Sequence, residues 1–78
     1  MKLLTKWKEQ CLVVSNGFNI ECGDYVDFGK YGCFYVTGKT GKSFKVVDKK
    51  EDRVNICAKI KYIQMDKAVR IIEKYDKP

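Results

Sequence analysis

The sequence predicts a mainly β domain: five to six short strands curled into a small barrel, followed by a short C-terminal helix. Three observations point there. Asn16-Gly17 joins two apolar runs, the chemistry of a two-residue type I′ hairpin turn. Glycine-punctuated segments then alternate apolar and polar residues with the period of two that belongs to strands. Finally, 78 residues hold a single domain, and a sheet of short strands avoids exposed edges by closing on itself.

The first hairpin joins Gln10-Cys-Leu-Val-Val-Ser15 to Phe18-Asn-Ile-Glu-Cys22. A two-residue turn sets Ser15 opposite Phe18, Val13 opposite Ile20 and Cys11 opposite Cys22. Leu12 and Val14 then face outward, to be covered either by the N-terminal residues around Trp7 or by a second copy in a homodimer. Gly23-Asp24 marks a turn into Tyr25-Val-Asp-Phe28, with Val26 and Phe28 inward. After Gly29-Lys-Tyr-Gly32, the segment Cys33-Phe-Tyr-Val-Thr37 points Phe34 and Val36 inward and Tyr35 outward. The loop Gly38-Lys-Thr-Gly-Lys42 leads into Ser43-Phe-Lys-Val-Val47. Beyond a polar corner, Val54, Ile56, Ala58, Ile60 and Tyr62 alternate with Asn55, Cys57, Lys59 and Lys61, which predicts the longest strand. From Asp66 the spacing of Ala68, Ile72 and Tyr75 and the Asp66–Arg70 pair predict a helix over 66–75; a last strand through Val69 and Ile71 is the alternative. Residues 1–78 are thus read as one domain, with 1–9 as an N-terminal arm. The expected core is Val13, Phe18, Ile20, Val26, Phe28, Phe34, Val36, Phe44, Val46, Ile56 and Ile60.

Gly23-Asp-Tyr-Val-Asp-Phe28, Tyr31-Gly-Cys-Phe-Tyr-Val36 and Phe44-Lys-Val-Val47 together resemble the small SH3-like barrels of KOW and Tudor type. Those commonly open on Gly-Asp-x-Val and return with a Gly-x-x-x-Val strand. The resemblance covers about half the chain and implies an SH3-like or OB-like scaffold that binds RNA, DNA or protein tails, with no catalytic residues.

Composition narrows the functional classes. Hydrophobic residues at 45% and charged residues at 33% describe a globular chain rather than a disordered one. No apolar run reaches the ~18 residues of a membrane span, and no signal-peptide core opens the chain. The expectation is a soluble, cytoplasmic protein without a membrane partner, whose cysteines are buried free thiols. Cys11, Cys22, Cys33 and Cys57 lack Cys-x-x-Cys spacing, and with no His in the chain a structural metal site is not expected. Neither is catalysis, because the usual general base near neutral pH is missing and no His can activate a thiol. We expect no cofactor. Gly38-Lys-Thr-Gly-Lys-Ser43 matches only the end of a Walker phosphate loop: the first glycine falls on Val36, and a strand rather than a helix follows.

Charge points to an anionic partner. The net charge is +6, and from Lys30 to Lys61 nine bases face three acids. Tyr25, Tyr35, Lys45, Lys59 and Lys61 on predicted strands, with Lys30, Tyr31, Lys39 and Lys42 on loops, form the candidate binding face. Tyrosines beside lysines stack bases while cations follow phosphates, which suits RNA or single-stranded DNA. The competing reading leaves these residues as an ordinary solvated, pleated surface. A second functional reading starts from the small size, the lysine-rich composition and the lack of an enzyme motif. In these respects the chain looks like the small accessory proteins of phages and mobile elements. These act as inhibitors on an acidic surface of a host defence protein or sequester a phosphate-bearing nucleotide.

Overall fold

A computed structural model describes residues 13–15 and 17–75. The strands are β1 (Val13–Ser15), β2 (Phe18–Ile20), β3 (Tyr25–Asp27), β4 (Cys33–Thr40), β5 (Ser43–Val47), β6 (Lys61–Gln64) and β7 (Arg70–Glu73). Short 3-10 turns occupy Gly29–Tyr31, Lys50–Arg53 and Met65–Lys67. β1 and β2 form a separate hairpin in the expected register, Ser15 opposite Phe18 and Val13 opposite Ile20. Cys11 and Asn16, the patch around Trp7 and Leu12, and the side chains of Val13, Val14 and Phe18 lie outside the described residues.

The main sheet has five antiparallel strands in the order β6-β5-β4-β3-β7. β3 to β6 form a meander, and β7 returns to the free edge of β3. Among the described residues no pairing joins β6 to β7, so the sheet is open. The β4–β5 turn is tighter than expected: Gly38, Lys39 and Thr40 belong to β4, and Gly41, at φ +57°, makes the reversal with Lys42. One face carries the core. Val26, Phe28, Phe34, Val36, Phe44, Val46 and Ile20 are buried there with Cys22, Ile63 and Ala68. Phe28 centres the aromatic packing, its ring 6.4 Å from Phe34 and 6.1 Å from Phe44, distances at which tilted pairs attract.

Three expectations are corrected. The C-terminal helix does not form. The chain leaves the 3-10 turn at Lys67, Ala68 turns extended at φ −65°, ψ 127°, and Arg70–Glu73 pairs with β3. Val69, Ile71 and Ile72 are β-branched and favour a pleated surface. A strand on an open edge also gains hydrogen bonds that an isolated short helix would lack.

The long strand over Val54–Tyr62 is absent as well. Pairing begins only at Lys61, and Ile56 and Ile60 are exposed rather than core. Local hydrogen bonds win there: Asn55 N–H donates to the Asp52 carbonyl at 3.3 Å, Ala58 N–H to the Asn55 carbonyl at 3.0 Å, and Cys57 N–H to Asn55 Oδ1 at 2.9 Å. An Asn side chain that accepts its neighbour's amide competes with a ladder and bends the chain. The phase changes too, with Ile63 inward and Tyr62 outward.

The third correction concerns thiols. Cys22 is disulfide-bonded, whereas Cys33 and Cys57 are free. Cys57 is exposed and Cys33 only half-buried, so the expectation of buried free thiols fails for them as well, Cys57 because it lies on the hydrogen-bonded turns that replace the expected strand. No helix among the described residues is long and apolar enough to cross a membrane.

Candidate functional site: an aliphatic cleft on the outer face of the sheet

The sheet face opposite the core is not bare. Tyr25 and Tyr35 are cross-strand partners on β3 and β4 and stack with ring centroids 4.4 Å apart. Burial, then the neighbouring Cys33 and Tyr35, raises the pKa of the Tyr25 hydroxyl above its ordinary value. Over this pair lies Arg53, whose guanidinium sits 5.3 Å from the Tyr35 ring and 4.4 Å from the Tyr75 ring. Arg53 Nη1 also donates to the Gly23 carbonyl and Nε to the Lys50 carbonyl, both at 3.1 Å. A delocalised cation over two aromatic faces, with the hydrogen bond to Gly23, holds the 48–60 excursion against the sheet, while the bond to Lys50 shapes the turn itself. Val47 faces the same way and is buried beneath it.

The gap left beside this anchor is a cleft of about 190 Å³. Thr37, Lys45 and Val47 form its floor; Val54, Ile56 and Ile60 form its apolar walls. Thr37 lies where the β4–β5 register shifts, and its Oγ1 donates to the Lys45 carbonyl at 3.2 Å. Bulges bend a strand and re-aim its side chains. Ile56 is 96% exposed, Tyr62 60% and Val54 56%, and Tyr62 stands directly opposite Lys45.

A second cluster fixes the back of this assembly. The Asp24 carboxylate is fully buried and accepts from the backbone N–H of Glu21 and of Tyr75, each at 2.9 Å. Lys74 Nζ donates to it at 2.6 Å and lies 3.3 Å from the Glu21 carboxylate. Tyr75, held this way, presents its ring to Arg53.

The structure separates the predicted binding residues. Tyr25 and Tyr35 share a face but pack on each other, half-buried under Arg53. Lys45 is on the cleft floor. Lys61 is opposite the inward Val46 and on the core side of the sheet, its Nζ 5.0 Å from the Phe34 ring and 3.2 Å from Asp48 Oδ2. Lys59 is exposed on the excursion rather than on a strand. Lys30 lies 5.4 Å over Tyr31 at one end of β4, and Lys39 and Lys42 are exposed at the other, roughly 20 Å away at strand rise. Sequence reasoning missed Arg53, Tyr75, Asp24 and Lys74, and it placed Ile56 and Ile60 in the core. Only the Gly23-Asp24 pair signals any of this, and in the sequence it reads as no more than a turn.

No protein-family model, curated protein or solved structure matches the chain.

Proposed function

We propose that this chain is a non-enzymatic binding module that docks on a protein partner through the cleft raised by residues 48–60. The observation that carries the reading is Ile56. A large aliphatic side chain stands almost wholly in solvent at the mouth of a cleft whose other walls, Val54 and Ile60, are also exposed. Single exposed apolar residues are ordinary, but a contiguous group around a concavity marks an interaction surface. An antiparallel sheet whose last strand returns to the edge of β3 supports the small SH3-like scaffold that the sequence resembles, and that scaffold presents binding surfaces. The same chemistry serves an inhibitor that occupies the surface of a host enzyme.

The nucleic-acid reading requires tyrosines and lysines to share one face. Lys45 and Lys61 lie on opposite faces, and the tyrosines best placed for stacking are engaged with each other and with Arg53. Protein docking therefore leads. The test is a photo-crosslinking amino acid at position 56, with position 73 on β7 as control, in the cells that make the protein. The expected product is a nuclease-resistant crosslink to a protein, formed at 56, absent at 73 and lost when Val54→Asp and Ile60→Asp are added. A nuclease-sensitive product, or equal yield at both positions, overturns the proposal.

A further inference from the structure

Resting on that reading, we infer that the partner's docking element is an acidic segment carrying one large apolar side chain, which enters the cleft while its flanking carboxylates meet Lys45 and Lys59. Volume supplies the first argument. The cleft measures about 190 Å³, below the roughly 300–1,000 Å³ of small-molecule sites, and its walls are aliphatic. It is too small for a nucleotide and suits a single anchoring side chain of the kind that dominates interface energetics.

Charge supplies the second. From Lys42 to Lys61 seven bases face three acids. Asp48 is paired with Lys61, and Asp52, the acid that lines the cleft, is bonded to Asn55 within its own turn. Lys45 on the floor and Lys59 beside the wall residue Ile60 make no ion pair among the described residues. A cleft with aliphatic walls and two lysines outside any ion pair, one lining it and one next in sequence to a wall residue, is complementary to an apolar anchor flanked by carboxylates.

The same charges argue against a second copy of this chain. A two-fold interface meets itself, so the Lys45 and Lys59 of both copies would converge around one apolar centre whose lining acid, Asp52, is already bonded to Asn55. Like-charge juxtaposition of that kind disfavours association.

The test is an NMR titration of the labelled full chain at millimolar peptide with three decapeptides. One has a central Leu flanked by Glu, one the same Leu flanked by Lys, and one a central Ala flanked by Glu. The Glu-flanked Leu peptide is expected to shift the amides of Lys45, Val54, Ile56 and Ile60, with an affinity that falls as salt is raised. The Ala peptide is expected to bind roughly tenfold more weakly or worse, and the Lys-flanked peptide not to shift these amides. The variant Lys45→Glu with Lys59→Glu, at one half-buried and one exposed position, should lose the acidic peptide while keeping the wild-type spectrum elsewhere. Equal binding of both Leu peptides at the cleft would overturn the acidic partner and leave the docking site standing. Failure of the position-56 crosslink would overturn the docking site itself. No shift of the cleft amides by any peptide overturns the inference.

Discussion

Replacing Asp24 by Ala removes a carboxylate that is 0% exposed and joins the β2–β3 turn to the C-terminal segment fifty residues later. Two backbone amides, of Glu21 and Tyr75, lose an ionised acceptor at 2.9 Å, and hydrogen bonds to charged groups contribute about 1.5–3 kcal/mol each. Lys74 is about half exposed and can return its charge to water, so its share is at most about 1 kcal/mol. Allowing the two half-buried amides some rehydration, the expected loss is about 3–4 kcal/mol. A domain this small sits near the lower end of the usual range, about 5 kcal/mol. With a urea slope of about 1 kcal/mol per molar, the midpoint should fall by roughly 3 M, leaving the variant barely folded at 25 °C. Asp24→Asn should be little better, because its amide nitrogen would turn a donor toward Lys74 or toward one of the two N–H groups. The exposed Asp48, paired with Lys61 at 3.2 Å, provides the contrast: Asp48→Ala should cost less than about 1 kcal/mol. Urea unfolding followed by circular dichroism measures all three. An Asp24→Ala loss no greater than that of Asp48→Ala would refute the assignment of Asp24 as the anchor.

Two other perturbations follow from the same geometry. Gly23 sits at φ +97°, and a Cβ there would come 2.5 Å from Tyr75 Cγ, whereas Gly41 at φ +57° has nothing within 4 Å. The left-handed conformation costs a side chain roughly 1–2 kcal/mol at either site, so Gly23→Ala should lower the thermal midpoint clearly more than Gly41→Ala does, and equal shifts would mean that Tyr75 yields freely. Because the Tyr25 pKa is raised in the folded state by burial, then by Cys33 and Tyr35, its contribution is complete below the unfolded value of about 10 and is lost as pH rises through the folded value. Tyr25→Phe should therefore flatten the alkaline fall in stability, and an unchanged profile would count against this assignment.

Much of the sheet was legible because local chemistry and burial agree there. Asn16-Gly17 fixed a hairpin register, and Val26, Phe34, Val36, Phe44 and Val46 kept one phase on strands that have partners on both sides, with Phe28 buried just past the end of β3. The reading failed where alternation was present but the hydrogen-bonding edge was not. Val54, Ile56, Ala58 and Ile60 alternate like strand residues, yet Asp52 and Asn55 capture the backbone amides first. The terminal segment failed in the other direction: its apolar spacing fits a helix, but the vacant edge of β3 offers its β-branched residues a ladder. The candidate site was harder still. Nearness of Lys45, Lys59 and Lys61 in sequence carries no information about faces when Lys59 lies on no strand and the phase of β6 is one residue from that expected, which turns Lys61 to the core side. Asp24 could not be recognised, because its partners Lys74 and Tyr75 lie at the far end of the chain.

Arg53 also sets a condition on reuse of this surface. Residues 48–60 look like a detachable loop, and transplanting them onto another small scaffold is an obvious engineering move. The loop, however, carries only one half of its own fastening. The other half consists of the Tyr35 ring, the Tyr75 ring and the Gly23 carbonyl, contributed by three separate stretches of the parent chain. A recipient that lacks those three groups would receive the aliphatic side chains without the shape they line, so the smallest portable unit is the sheet face together with its tail.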